Sequence, residues 1–284
     1  MSYAKILVPV DGSDRDACAL TTAIRAAKPF NAHVVALYAH PDPAEALPII
    51  GVPLTAEAMS AVIDGNTKIF RTAAKRIHDT IAQTCKAEGA RAVAKPIRED
   101  AVTISFREVI GYPPRAIQAA AALSDLAVCA PCAGSPGGFE TAVDLILTER
   151  RPVLLAVEPP QAFRKIMIGW NNSIPAAHAI SAAMPFLEKA EIIELVCLQR
   201  PSAPDYGTDN VVAYLKAHGM NCSEVHLRIL GTAVHTSLAK FACENRADLL
   251  VIGGFSHSRI RETLFGGITN EFLRDPPLPV LLSH

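Results

Sequence analysis

The 284 residues carry a net charge of -1 and are 50% apolar, a balance that gives no reason to expect nucleic acid or an acidic membrane as partner. No uncharged apolar run reaches the ~18 residues of a membrane span, and the opening MSYAKILVPV enters a strand-like run without a cleavage-site pattern, so no secretory signal is expected. Seven scattered cysteines form no dense framework, and reduced thiols in a cytoplasm are the expectation.

Residues 6–10 are apolar throughout, as in a strand covered on both faces; Pro9 fits only near its end. Asp11, Gly12, Ser13 and Asp14 offer a turn and an N-cap for a helix over 17–27. A second strand follows at 33–38, then a proline-rich lead over 40–53. After Thr55, apolar residues at Met59, Val62, Ile63, Phe70, Ala73, Ala74, Ile77 and Ile81 have the spacing of a long amphipathic helix ending near Gly89. This helix is read as an ordinary covering helix, or as a lid over the first-half cleft or a partner surface. A third strand at 103–110, a helix at 113–122, a fourth strand at 126–130, a weak helix at 141–148 and a fifth strand at 152–157 complete the unit.

Residues 158–161 read as a linker, and beyond it the pattern restarts. Residues 164–173 overlie 4–13, 176–180 overlie 17–21, 192–197 overlie 34–39, 227–231 overlie 107–111, 248–252 overlie 125–129 and 279–282 overlie 152–155. Two tandem α/β domains over 1–158 and 163–284 are expected, with right-handed crossovers and parallel sheets. Ligands in such sheets sit beyond the carboxyl ends of the strands, where the strand order reverses.

The residues that could hold a ligand there follow the fourth strand of the second half. Gly253, Gly254, Phe255, Ser256, His257, Ser258 and Arg259 are followed by a helical stretch and then Gly266, Gly267, Ile268 and Thr269. Glycines let the backbone approach a ligand, and free N–H groups cradle phosphates. Ser256, Ser258 and Thr269 add hydroxyls, Arg259 a cation and His257 a further contact. Glycine pairs also serve simply to turn a chain; the thirteen-residue interval from Gly253 to Gly266 is what raises the signal.

This stretch, 248–282, resembles the C-terminal signature of universal stress proteins: a glycine, two residues, a glycine, nine residues, then glycine and serine or threonine. Gly253 and Gly266 sit at its first and third positions, while Ser256 replaces the second glycine and Gly267 the hydroxyl residue. Residues 5–13 and 165–173 resemble the family's opening strand. The resemblance implies two Rossmann-like or flavodoxin-like domains, each a five-stranded parallel sheet of order 3-2-1-4-5 with helices on both faces. It implies a stress-response role, a tandem chain equivalent to the family's usual pair of subunits, and ATP or a related adenine nucleotide as ligand. An aspartate ending the first strand would hold the ribose or adenine, and the glycine loop the phosphates. Asp11 fills that position in the first half and Asn171 in the second. The loop survives only in the second half, because the first reads Ala130, Pro131, Cys132, Ala133, Gly134, Ser135, Pro136, with two prolines removing N–H donors. The nucleotide is therefore expected in the second domain, with Asp11 marking a secondary site.

Cys129 and Cys132 form a C-x-x-C pair that reads either as a redox dithiol or as two core thiols, the glycines and Pro136 delaying any helix that would activate it. A zinc site would need two further ligands, and no metal is expected. Trp170, beside Asn171, is placed in the core ahead of a role stacking on a base. No residue offers itself as a catalytic base, although the resemblance allows slow ATP hydrolysis. The alternatives to a nucleotide-binding stress protein are a nucleotide-free scaffold for proteins or a small apolar ligand, and a thiol redox sensor. A homo-oligomer or protein partner is compatible with each.

Overall fold

The computed structural model describes residues 2–46, 55–97, 99–130, 136–158, 160–199, 207–228, 234–255 and 268–284. The first half runs β1 (Lys5–Val10), α1 (Asp16–Ala27), β2 (His33–His40), α2 (Ala56–Glu88), β3 (Arg91–Ala92), β4 (Thr103–Ile110), α3 (Pro113–Ala121), β5 (Leu126–Cys129), α4 (Pro136–Leu147) and β6 (Val153–Leu155). The second runs β7 (Lys165–Trp170), α5 (Ile174–Leu187), β8 (Ile192–Gln199), α6 (Thr208–Ala217), β9 (Ser223–Arg228), α7 (Val234–Glu244), β10 (Leu249–Gly253), α8 (Ile268–Arg274) and β11 (Val280–Ser283).

Both halves have the expected strand order. The first is β4-β2-β1-β5-β6, with the two-residue β3 added at its outer edge, and the second is β9-β8-β7-β10-β11. All pairings within a half are parallel. The fifth strands then meet antiparallel, Leu155 against Val280, Leu154 against Leu281 and Val153 against Leu282, so the halves share one 11-stranded sheet.

Strand alternation sorts the core into two layers. Ile6, Val8, Ile166 and Ile168 face one layer, with Ile24 of α1, Ile77 of α2, Ile180 of α5 and Leu215 of α6. Leu7, Met167, Leu250 and Leu282 face the other, with Ala121 of α3, Ile146 of α4, Leu238 of α7 and Phe272 of α8. The first layer is continuous across the halves. The Tyr3 hydroxyl donates to Ala182 O at 2.5 Å, and the Phe186 ring lies 5.1 Å from those of both Tyr3 and Phe163. The first of these contacts is edge-on and the second tilted, and such aromatic pairs stabilise beyond the area they bury.

Pro9 is accommodated inside β1 because pairing with β5 covers only Ile6 and Leu7, so no ladder bond is asked of its missing N–H. α4 does not wait for the glycines to pass. It starts at Pro136, whose fixed φ suits a first helical position, five residues before the expected start at 141. Two internal matches shift. Lys5 pairs with His33 and Lys165 with Ile192, so Ile192 holds the place of His33, not of residue 34. Ile110 pairs with His40 and Arg228 with Gln199, which moves the third-strand match by two residues. Short apolar runs align equally well in neighbouring registers; the side-chain faces decide.

α2 is tied down at its C-terminal end, where Glu88 accepts from Arg25 at 2.6 Å and from Lys28 at 2.6 Å on the α1 side. Further up, Asn66 donates to Pro43 O and Ala46 O, and Phe70 stacks on His40 with ring centres 4.4 Å apart. Among the described residues no helix is long and apolar enough to cross a membrane.

Candidate functional site

In the first half, Asp11 follows the carboxyl end of β1. Its Oδ1 accepts the Ser13 N–H at 2.9 Å, and Arg15 lies 3.6 Å from its Oδ2. Gly12 between them has φ +82°, and a Cβ there would come within 2.9 Å of the Ala73 backbone, so α2 presses on this loop where only glycine fits. Asp16, the first residue of α1, turns back beneath the loop. Its oxygens accept the Gly12 N–H at 2.8 Å and the Asp11 N–H at 3.3 Å. The side chain is buried, and burial pushes its pKa up to about 6, against the pull of those two N–H groups.

Beside this loop a cleft of about 390 Å³ opens between the carboxyl ends of β1 and β5, the start of α3 and one face of α4. That is the point where the strand order of the half reverses. Pro9, Leu37, Cys129 and Leu145 give it an apolar floor, Ile117 a wall, and Tyr112, 72% exposed, stands at its mouth. Asp11, Asp16, Glu140 and Asp144 bring carboxylates and Arg15 a guanidinium. Of these, sequence reading singled out only Asp11. Asp16 is legible as the third aspartate of the Asp11–Asp16 segment, but the turn and cap are read from residues 11–14.

The second half repeats the turn with different chemistry. Asn171 stands in the place of Asp11, and its Oδ1 accepts both the Ser173 N–H at 3.3 Å and the Ser173 hydroxyl at 2.7 Å. Ser173 Oγ in turn accepts the Ala176 N–H at 3.2 Å and caps α5. Asn172 takes the left-handed conformation that Gly12 takes in the first half, with φ +57°. Trp170 is buried in the core.

Gly253 ends β10 with no room for a side chain: a Cβ would lie 2.4 Å from Ala176 N. The Gly254 N–H donates to Ser283 O at 2.7 Å, and the Phe255 N–H donates to the buried Thr269 hydroxyl at 3.1 Å. These two donors thus bind the loop to β11 and α8. Ser256, His257, Ser258, Arg259, Gly266 and Gly267 lie outside the described residues, as does the Ile268 side chain. Gly169 holds the position of Pro9, and a Cβ on it would come within 2.8 Å of Ile252 Cγ2 and 3.0 Å of Leu238 Cδ2. Those side chains fill the space over the strand that the first half leaves open.

Cys129 is buried in the core layer of α3 and α4 and is in no disulfide; Cys132 lies outside the described residues. Among the described residues, no group of three or more His, Cys, Asp or Glu side chains is arranged to hold a metal ion.

Residues 2–126 match the model of the universal stress protein family. No curated protein matches the chain. Among solved structures, a universal stress protein from Archaeoglobus fulgidus DSM 4304 is similar at TM-score 0.71 and 14% identity, over 99% of this chain and 96% of that one. A putative universal stress protein from Pseudomonas aeruginosa UCBPP-PA14 is similar at TM-score 0.57 and 15% identity, over 99% of this chain and 93% of that one. At such identities the overlay speaks for the fold, and it runs through both halves. The first half is thus similar to the universal stress protein family over residues 2–126, and the second half repeats its strand order.

Proposed function

We propose that the protein is a cytoplasmic ligand-binding stress protein whose small-molecule site is the first-half cleft. The observation that carries this reading is the coincidence of an open cleft, about 390 Å³, with the reversal point between β1 and β5. Its apolar floor suits a flat ring of nucleoside size, and Asp11 at the rim is placed to accept from a hydroxyl. Calorimetric titration with adenosine tests it, beside Ala39→Phe, which puts a ring into the cleft from the end of β2. Binding lost in that variant supports the site; binding that ignores it would move the ligand elsewhere.

A second reading follows the spacing of Gly253 and Gly266: an adenine nucleotide such as ATP held in the second half, with Asn171 at the sugar or base. The donors of Gly254 and Phe255 are engaged internally, so the phosphates would depend on the stretch from Ser256 to Gly267. ATP binding that is lost in Gly266→Val and unchanged in Ala39→Phe supports this reading over the first.

A further inference from the structure

We propose that the first-half cleft is selective for organic cations, taking a flat apolar body on its floor and an ammonium or guanidinium group among its carboxylates. The inference rests on the reading of this cleft as the ligand site and adds the charge of what enters it.

Four carboxylates, those of Asp11, Asp16, Glu140 and Asp144, line the cleft against the single guanidinium of Arg15, which already lies 3.6 Å from Asp11. Apolar walls concentrate the field of such a set, so the excess of negative charge acts more strongly inside than it would on an open surface. Asp16 registers this field: after burial, the nearby Asp11 charge contributes to holding its carboxyl above the usual range.

The helices around the cleft point the same way. A helix N-terminus ordinarily offers N–H groups to an anion. α3 opens with Pro113 and Pro114, neither of which has an N–H to offer. α4 borders the cleft along a face that carries Glu140 and Asp144, so it brings two further carboxylates to the same space. A phosphate here would meet carboxylates where a phosphate site presents donors.

Tyr112 is an independent indication. It sits immediately before the two prolines that fix the start of α3, its ring 72% exposed at the mouth of the cleft. An exposed ring over an acidic pocket is an arrangement that attracts cations to its face. Ser13 lines the same cleft, and its Oγ is buried without a hydrogen-bond partner among the described residues.

The test uses one ring with three charges: tryptamine, tryptophol and indole-3-acetate, titrated calorimetrically into the full chain. Tryptamine should bind most tightly and indole-3-acetate least, with a ratio of about tenfold or more between them. Asp11→Asn keeps the turn, as Asn171 does in the second half, and Asp144→Asn leaves the α4 backbone intact. Each should weaken tryptamine by about three- to tenfold and weaken tryptophol less. If tryptophol binding is lost in Ala39→Phe but indole-3-acetate binds as tightly as tryptamine, the cleft remains the ligand site and the cation selectivity is overturned. If all three ligands bind and ignore Ala39→Phe, or if none binds at millimolar concentration, the reading of the cleft falls together with the inference.

Discussion

Asp125 and Asp248 make the same pair of hydrogen bonds in the two halves. Asp125 Oδ2 accepts from Ala4 N at 2.7 Å and Lys5 N at 2.9 Å, and Asp248 Oδ2 accepts from Arg164 N at 2.9 Å and Lys165 N at 2.8 Å. Each carboxylate sits just ahead of its half's fourth strand and grips the entry to the first, fixing the register of β1 on β5 and of β7 on β10. A carboxylate bound by two backbone N–H groups stabilises by about 1–3 kcal/mol, the lower end applying to the more exposed Asp125. Asp248→Ala should lower the denaturation midpoint more than Asp125→Ala, and the double variant should lose about the sum, since the two sites share no partner. Chemical denaturation of the three variants checks both statements.

Asp16 makes a prediction with pH. Its pKa is raised to about 6 in the folded protein, chiefly by burial, from an ordinary carboxyl value of 3.8. Between those two values the folded state holds a proton that the unfolded state has released. This group's contribution is therefore fully present below pH ~4, declines as pH rises, and is gone above pH ~6, a loss on the order of 2–3 kcal/mol. Asp16→Asn should flatten the unfolding free energy across that window relative to the wild type. An unchanged slope would mean that the carboxyl titrates normally.

Gly253 separates packing from ligand approach. In the second half α5 starts at Ile174 and presses Pro175 and Ala176 onto the end of β10, leaving 2.4 Å for a Cβ. In the first half α1 starts two residues later by the same count, at Asp16, and alanine is tolerated at the corresponding Ala130. Gly253→Ala should therefore cost about 1–3 kcal/mol with no ligand present. A variant that unfolds like the wild type but has lost nucleotide affinity would instead make this glycine a ligand contact.

The antiparallel seam yields a fourth expectation. Leu154 and Leu281 hold equivalent positions and face each other, so the β6–β11 contact is self-complementary. With the division proposed at residues 1–158 and 163–284, the first half produced alone presents Val153–Leu155 as an open apolar edge. It should sediment as a dimer paired through that edge. Replacing Leu154 with lysine in the isolated half should leave it monomeric or insoluble, and a stable wild-type monomer would contradict the seam as the association surface.

The parts of this fold that were legible share a physical cause. Buried parallel strands such as Leu249–Gly253 are continuous apolar runs, and α2 carries a long apolar periodicity closed by Gly89 in the left-handed conformation. β3, two exposed residues at an edge, has no pattern to read. The start of α4 was misplaced because proline and glycine were weighed as breakers where proline opens the helix. Which half keeps its cleft open is not legible, for a different reason. It depends on what packs over Pro9 and Gly169, Cys129 with open space in one case and Ile252 of β10 with Leu238 of α7 in the other, and such differences appear only once the elements are set side by side.

The seam at Leu154 and Leu281 has a further consequence. Were the two halves separate copies of one chain, every substitution would appear on both sides of the contact at once, and a residue that closed one cleft would close its twin. A single chain carrying both copies is released from that rule. Here Ile252 and Leu238 close the space over Gly169 while the space over Pro9 stays open, and asparagine stands at 171 while aspartate stands at 11. Each side is thereby free to change the space above its first strand without carrying its partner's chemistry along.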